Sequence, residues 1–238
     1  MNIFFLRKLV FPSFLLLFFS AYAEAQDVTG LMKRVKAKLE LVKDYKADGL
    51  LKTDVPFMKV PESKVSIFYK KPNKFKIKKE DGISIVPKGG ISINLNSLLA
   101  GNEYTMIPGG TITMRGKVLV IVKLLPLKEE NDIALSTLYI DEKEALIHKA
   151  STTTKNSGTY DMEMLYGKFA KWGLPDKVLF SFNTKEYKLP KGVTFEYETE
   201  QKPEVASKAK SQKGIVEITY QNYSINKGIQ DNVFNVSN

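Results

Sequence analysis

From Tyr45 to near its end the chain alternates apolar and polar residues with a period of two, a pattern that confines it to antiparallel β-structure with one wet face. Val65, Ile67 and Tyr69 alternate with Lys64, Ser66, Phe68 and Lys70, and Phe75 and Ile77 alternate with Lys74, Lys76 and Lys78. The breaks between these runs are too short to hold crossover helices. Lys70-Lys-Pro-Asn73 and Glu80-Asp-Gly82 are polar turns, the second with a dipeptide favoured in tight hairpins, so neighbouring strands pair.

The pattern resumes at Tyr104 to Ile107, and Pro108-Gly-Gly110 is expected to turn the chain into Ile112 and Met114. Val118 to Leu125 is nearly continuous apolar sequence and predicts a strand buried on both faces. Leu135 to Ile140 and Ala145 to His148 flank Asp141-Glu-Lys143 as a hairpin. Strands at Tyr160–Tyr166, Lys177–Asn183, Val193–Thr199 and Gly214–Tyr223 follow, the last after an aperiodic loop, Glu200–Lys213, expected to be mobile. Asn94 to Leu99 predicts one short helical turn. Only one stretch has a helical period: Val28, Leu31, Met32, Val35, Leu39 and Val42 share a face, with Lys33, Arg34, Lys36, Lys38 and Lys43 mostly off it. One helix and nine to eleven strands give an α+β fold, a strongly curved antiparallel sheet wrapped around the helix.

The N-terminus predicts export. Arg7 and Lys8 precede an apolar stretch, Leu9 to Phe19, and small residues at Ala21, Ala23 and Ala25 stand at cleavage spacing, so residues 1–25 read as a signal peptide cut near Ala25. The remaining residues 26–238 suffice for a single domain. The chain is 43% hydrophobic and 26% charged, which argues against disorder, and has no cysteine, which excludes disulfides, thiolate sites and a lipidated cysteine. Its net charge is +10, and the mature part keeps 34 basic against 25 acidic residues. Such a surface suits anionic headgroups, an acidic partner or plain solvation; export disfavours nucleic acid.

No catalytic constellation stands out. His148, the only histidine, has no partners for a metal site or a nucleophile elbow and reads as a surface residue on a strand. Asp161 and Glu163 share one strand face and read as its wet side. Gly89-Gly90 and Gly109-Gly110 lack the helix a phosphate cradle needs. The chain therefore reads as a non-enzyme without cofactor or metal.

Several segments carry a resemblance in their order and spacing: the helix leading into Val42-Lys-Asp-Tyr45-Lys-Ala47, the turn Tyr69-Lys-Lys-Pro72-Asn-Lys-Phe75, the hairpin Leu138-Tyr-Ile-Asp141 through Leu146-Ile147, Gly173-Leu-Pro175, and Tyr220-Gln-Asn-Tyr223-Ser-Ile-Asn226 through Phe234. Together they resemble the outer-membrane lipoprotein carrier superfamily, the LolA/LolB-like lipoprotein-sorting proteins of the bacterial envelope. The resemblance implies an unclosed β-barrel around an N-terminal helix, with a short lid helix and an apolar cavity for acyl chains. It also implies a lid latch at the place of Lys76, where the family commonly has arginine; the alternative is that Lys76 points to water beside Lys74 and Lys78. The LolB branch is anchored through a lipidated cysteine, which is absent here.

The expected function is thus a periplasmic carrier of lipoprotein or lipid acyl chains toward the outer membrane. A sensor of the same fold acting through a protein partner is the alternative, and a carboxylate hydrolase is a third. The candidate lining residues are Leu31, Val35, Leu39, Val65, Ile67, Phe75, Ile77, Met106, Met114, Val120 and Leu138. Six methionines remain after export, and flexible thioethers suit either a variable guest or an ordinary core. The expected partners are an acylated lipoprotein or lipid, an inner-membrane release complex and an outer-membrane acceptor, with the protein a monomer.

Overall fold

The structure, a computed structural model, describes residues 27–55, 58–79, 84–85, 99, 103–128, 132–156, 158–183 and 213–235. The expected leader, the expected strand at Val193–Thr199 and all but the last residue of the expected loop Glu200–Lys213 lie outside the described residues.

Helix α1 spans Val28–Glu40. Asp27 starts it, its carboxylate accepting a hydrogen bond from the Gly30 backbone N–H at 2.8 Å. Val28, Leu31, Met32 and Val35 are buried, one stripe at helical spacing. The helix stops two residues before the end its periodicity predicts, and Val42 is buried beyond it.

The strands are β1 (Asp44–Val55), β2 (Met58–Lys70), β3 (Lys74–Lys79), β4 (Ser84–Ile85), β5 (Tyr104–Met114), β6 (Lys117–Pro126), β7 (Ile133–Asp141), β8 (Leu146–Thr154), β9 (Gly158–Leu165), β10 (Lys177–Asn183) and β11 (Lys213–Ile225). They form one 11-stranded sheet in the order β4-β3-β2-β1-β11-β10-β9-β8-β7-β6-β5, antiparallel throughout. Two meanders, β1–β4 and β5–β11, are joined by the pairing of β1 with β11, from Tyr45 opposite Ile225 to Asp54 opposite Ile215. Among the described residues β4 and β5 end the sheet and do not pair, so the sheet is unclosed, as expected. Of the expected turn at Asn94–Leu99, only Leu99 is described; it is helical and buried.

Two local expectations are corrected. Pro108-Gly-Gly110 does not reverse the chain: it is a bulge inside β5, where the pairing with β6 shifts between Pro108 and Thr111 and Gly110 takes φ +78°. A Pro-Gly-Gly run satisfies a bulge as well as a turn, and the apolar residues on both sides let one strand run through it. β6 is not buried on both faces. Leu119, Val120, Val122 and Leu124 are buried, but Val118 is 65% exposed and Leu125 is exposed too, because both lie outside the stretch Val120–Leu124 that pairs with β7.

A second bulge, between Asp48 and Gly49, fits β1 to β11. A Cβ at Gly49 would stand 2.5 Å from the Thr219 carbonyl oxygen and 3.4 Å from Ile67 Cδ1. That carbonyl is ladder backbone and cannot swing aside as a flexible side chain would. Gly49→Ala is therefore expected to destabilise the protein by about 1–3 kcal/mol, as overpacking does. Urea denaturation checks it: the midpoint should fall with the m-value unchanged.

Candidate functional site

Strand alternation puts one set of side chains on the concave face beneath α1. Register aligns them in rows: Ile77, Ile67 and Ala47 across β3, β2 and β1; then Ile218, Val178 and Met164 across β11, β10 and β9; and Ala150, Leu138 and Val122 across β8, β7 and β6. All belong to one buried cluster that also holds Leu31, Met32 and Val35 of α1. At roughly 25 cal/mol per Å² of apolar surface removed from water, this contact is what holds the helix in the sheet.

Seven of the residues expected from the sequence, Leu31, Val35, Val65, Ile67, Ile77, Val120 and Leu138, lie buried in this cluster. Leu39, Phe75 and Met106 pack against it partly buried. Met114 ends β5 half-buried and is not part of the cluster. Met162 and Met164 are in the cluster though not among the expected lining residues; the alternation of Tyr160, Met162 and Met164 with Asp161 and Glu163 is the signal that places them.

Aromatic rings close one end. Tyr45 lies 5.4 Å from Tyr69 and 5.2 Å from Tyr223, Tyr223 stacks on Tyr220 at 5.1 Å, and Phe169 meets Tyr223 edge-on at 4.8 Å. Two of the hydroxyls are satisfied by backbone carbonyls, Tyr223 donating to that of Pro175 at 2.8 Å and Tyr166 to that of Ile147 at 2.9 Å. Burial raises the pKa of Tyr45, Tyr166, Tyr220 and Tyr223, so all four are neutral donors at any physiological pH. Trp172 ends a 3-10 turn, Ala170–Trp172, and packs partly buried against the same core. At the opposite end a cavity of about 330 Å³ opens between β9 and β10, with Tyr160, Phe182, Ser181 and Asn183 in its wall.

Among the described residues the polar contacts that hold α1 lie at its periphery. Arg34 donates to the Glu142 carbonyl at 2.9 Å and stands 3.5 Å from that residue's carboxylate; Lys38 donates to the Glu144 carbonyl; Lys71, in the turn between β2 and β3, pairs with Glu40. Arg34, Glu142 and Glu40 are exposed, and ion pairs of this kind contribute at most about 1 kcal/mol each. Lys76 is on the other side of the sheet. Its register partner is Phe68, opposite in sense to Ile67 and Ile77; it is 1% exposed, and its Nζ donates at 2.5 Å to the Asn235 carbonyl just after the 3-10 turn Asp231–Phe234. Lost hydration, and then Lys78 beside it, pull its pKa below that of free lysine.

His148 is half-buried rather than on the open surface. Its ring meets Tyr166 edge-on at 5.3 Å, and Nε2 lies 3.9 Å from the Asp141 carboxylate. Burial lowers its pKa and Lys117 adds to this, so it is neutral above about pH 6.5, the value for a free histidine. Burial alone would raise the pKa of Asp141, but the Lys117 hydrogen bond at 2.9 Å and the Glu144 backbone N–H outweigh it and bring it down. Asp161 and Glu163 are taken by Lys149 at 2.9 Å and Arg115 at 2.6 Å. Among the described residues no group of three or more His, Asp or Glu could hold a metal ion.

No family model matches the sequence, and no curated protein matches it. Solved structures do. A domain from Vibrio parahaemolyticus assigned to outer membrane lipoprotein sorting superposes with a TM-score of 0.54 at 9% identity, over 87% of this chain and 95% of that one. The fold is that of the LolA superfamily. A LolA superfamily protein from Nitrosomonas europaea matches with a TM-score of 0.51 at 8% identity over 85% of this chain and 97% of that one. A DUF1329 family protein from Desulfovibrio piger matches at 0.52 and 12% identity over 87% and 95%. The LolA-like frame thus spans nearly the full length of each neighbour, and at these identities what is shared is the fold.

Proposed function

We propose that the protein is a periplasmic, non-enzymatic carrier that takes acyl chains of a lipoprotein or lipid into the space between α1 and the concave face and hands their owner toward the outer membrane. The observation that supports it is the mismatch between what α1 covers and what fastens it: an apolar face running across the unclosed sheet, and a helix pinned at its rim by exposed polar contacts. An acyl chain offers no hydrogen bonds and is held by burial alone, at about 0.8 kcal/mol per methylene. A guest can therefore replace the helix's apolar contacts with its own, at the cost of rim contacts worth little.

In this reading Leu31, Val35, Leu39, Val65, Ile67, Phe75, Ile77, Met106, Val120 and Leu138 line the space, with Met162 and Met164 as adaptable wall. The tyrosine end stays shut, and the chain enters by the cavity beside Tyr160 and Phe182, whose volume is at the small end of ligand sites. Loading and unloading fall to a release complex in the inner membrane and an acceptor in the outer.

Native mass spectrometry of the protein purified from the cell envelope tests this, with lipid extraction of what it holds. Bound acylated lipid or lipoprotein is the expected result. An unliganded mass with a stoichiometric protein partner would instead support a sensor built on the same fold.

A further inference from the structure

We propose that the convex face of β1–β3, the side of the sheet away from α1, docks on an anionic lipid bilayer surface. Register puts Lys46, Lys64, Lys74, Lys76 and Lys78 together on this face: Lys46 is opposite Phe68, which is opposite Lys76; Ser66 is opposite Lys78; Leu50 is opposite Lys64; Lys70 is opposite Lys74. Some of this charge is spent locally. Lys76 is buried on the Asn235 carbonyl, and Lys70 and Lys74 share Asp231 at 2.7 and 3.0 Å. Of the face's acids on β1, Asp44 accepts from the Lys227 and Gly228 backbone N–H groups at 3.1 and 3.0 Å, and Asp48 accepts from Ser66 Oγ at 3.2 Å.

Lys46, Lys64 and Lys78 have no carboxylate within ion-pairing distance among the described residues; Lys78 Nζ stands 5.8 Å over the Phe68 ring. The other half of the same convex surface is built differently. There Lys149 pairs with Asp161 at 2.9 Å, Lys177 with Glu217 at 2.5 Å, and Arg115 with Glu163 at 2.6 Å. Three cations of that half are held in pairs and Lys123 on β6 stands apart from them, whereas on β1–β3 Lys46, Lys64 and Lys78 lie close together without a pair among the described residues.

The form of the charge selects the partner. Lysines about 6.7 Å apart along strands spaced about 4.8 Å make a flat grid with one aromatic ring inside it and no apolar groove. Protein interfaces are depleted in lysine at their core and need apolar anchors there. A sheet of headgroup phosphates needs only diffuse positive charge, and each lysine near such a surface contributes about 1 kcal/mol, or about fivefold in partitioning. The apolar face under α1 takes no part, so this surface is independent of the carrier reading.

The test is co-sedimentation of the purified protein with vesicles of phosphatidylglycerol and phosphatidylethanolamine, against vesicles of neutral phosphatidylcholine. Binding to the anionic vesicles at low salt, lost at about 1 M salt where the Debye length is about 3 Å, is expected. The triple variant Lys46→Gln, Lys64→Gln, Lys78→Gln should bind about a hundredfold more weakly, by the same fivefold per lysine. The exposed Lys143, Lys168 and Lys171 in the turns at the tyrosine end, changed to Gln together, remove the same net charge and should change binding no more than about twofold. Equal loss in that control, equal binding to neutral vesicles, or no binding to anionic ones overturns the proposal. Capture of an acidic protein by a chain that ignores anionic vesicles overturns it in favour of a protein partner.

Discussion

Ile67→Asp is expected to abolish cooperative folding at neutral pH or to lower the melting temperature by more than about 10 °C, the shift that about 5 kcal/mol produces in a domain of this size. Ile67 is 0% exposed in the middle of β2, flanked by Ala47 on β1 and Ile77 on β3, with its Cδ1 against the backbone at Gly49. The row itself is apolar, the lysine of β3 on this face, Lys79, standing opposite Val65 rather than Ile67, and burying a charge without a placed partner costs several kcal/mol of a total stability of about 5–15. The pH dependence identifies the cause. The folded-state pKa of the new aspartate would lie above its unfolded value of about 3.9, so the folded state holds the proton more tightly and the loss grows as pH rises from 4 to 7. Thermal melts of Ile67→Asp at pH 4.5 and 7 should differ more than those of the wild type. Ile67→Ala, a plain cavity costing about 2–5 kcal/mol, should show no added pH dependence. A folded Ile67→Asp protein with wild-type stability at pH 7 would mean that this face is wet, and the acyl-binding assignment would go with it.

Fixing α1 to the 3-10 turn Ala170–Trp172 is expected to stop acyl uptake. The ideal Cβ position at Gly173 lies 3.2 Å from Lys38 Cγ, about where two bridged cysteines would place their side-chain atoms, so Lys38→Cys with Gly173→Cys can be oxidised across the helix and the 3-10 turn. The chain has no cysteine of its own, so no other bridge can form. Gly173 has φ +69°, and a cysteine there costs about 1–3 kcal/mol of backbone strain, which the cross-link offsets by restricting the unfolded chain. Binding of a fluorescent fatty acid is the readout. The oxidised double variant should take up at least about tenfold less than the same protein after reduction, because a state in which α1 cannot leave is not binding-competent. Equal uptake before and after reduction would show that α1 does not move on loading. Entry would then run through the cavity at Tyr160 and Phe182 with the helix in place.

Much of the frame was legible without coordinates. The core-facing stripe of α1 follows from the spacing of Val28, Leu31, Met32 and Val35, and the hairpin joining β7 to β8 follows from alternation around a polar turn. Strand parity also places Val65, Ile67 and Ile77 on one face with Leu138, since each strand records its own two-sidedness in the order of its residues. Parity misses β6, because which neighbour covers a face lies outside the strand. Val118 and Leu125 are as apolar as Val120 and Val122 yet stand exposed near the edge of the sheet.

The sequence by itself determined one long helix, a set of antiparallel strands, and which residues of each strand go together, because these are local consequences of periodicity and turn chemistry. Tertiary structure decided the joining of β1 to β11, which turns two meanders into one open barrel, and it decided the place of Lys76. Neither leaves a local signature: a pairing such as Tyr45 with Ile225 depends on two distant segments matching in register, and the burial of Lys76 depends on a C-terminal carbonyl, that of Asn235, folding back over β3. A lysine between two lysines on a wet strand face reads as solvated until another part of the chain covers it.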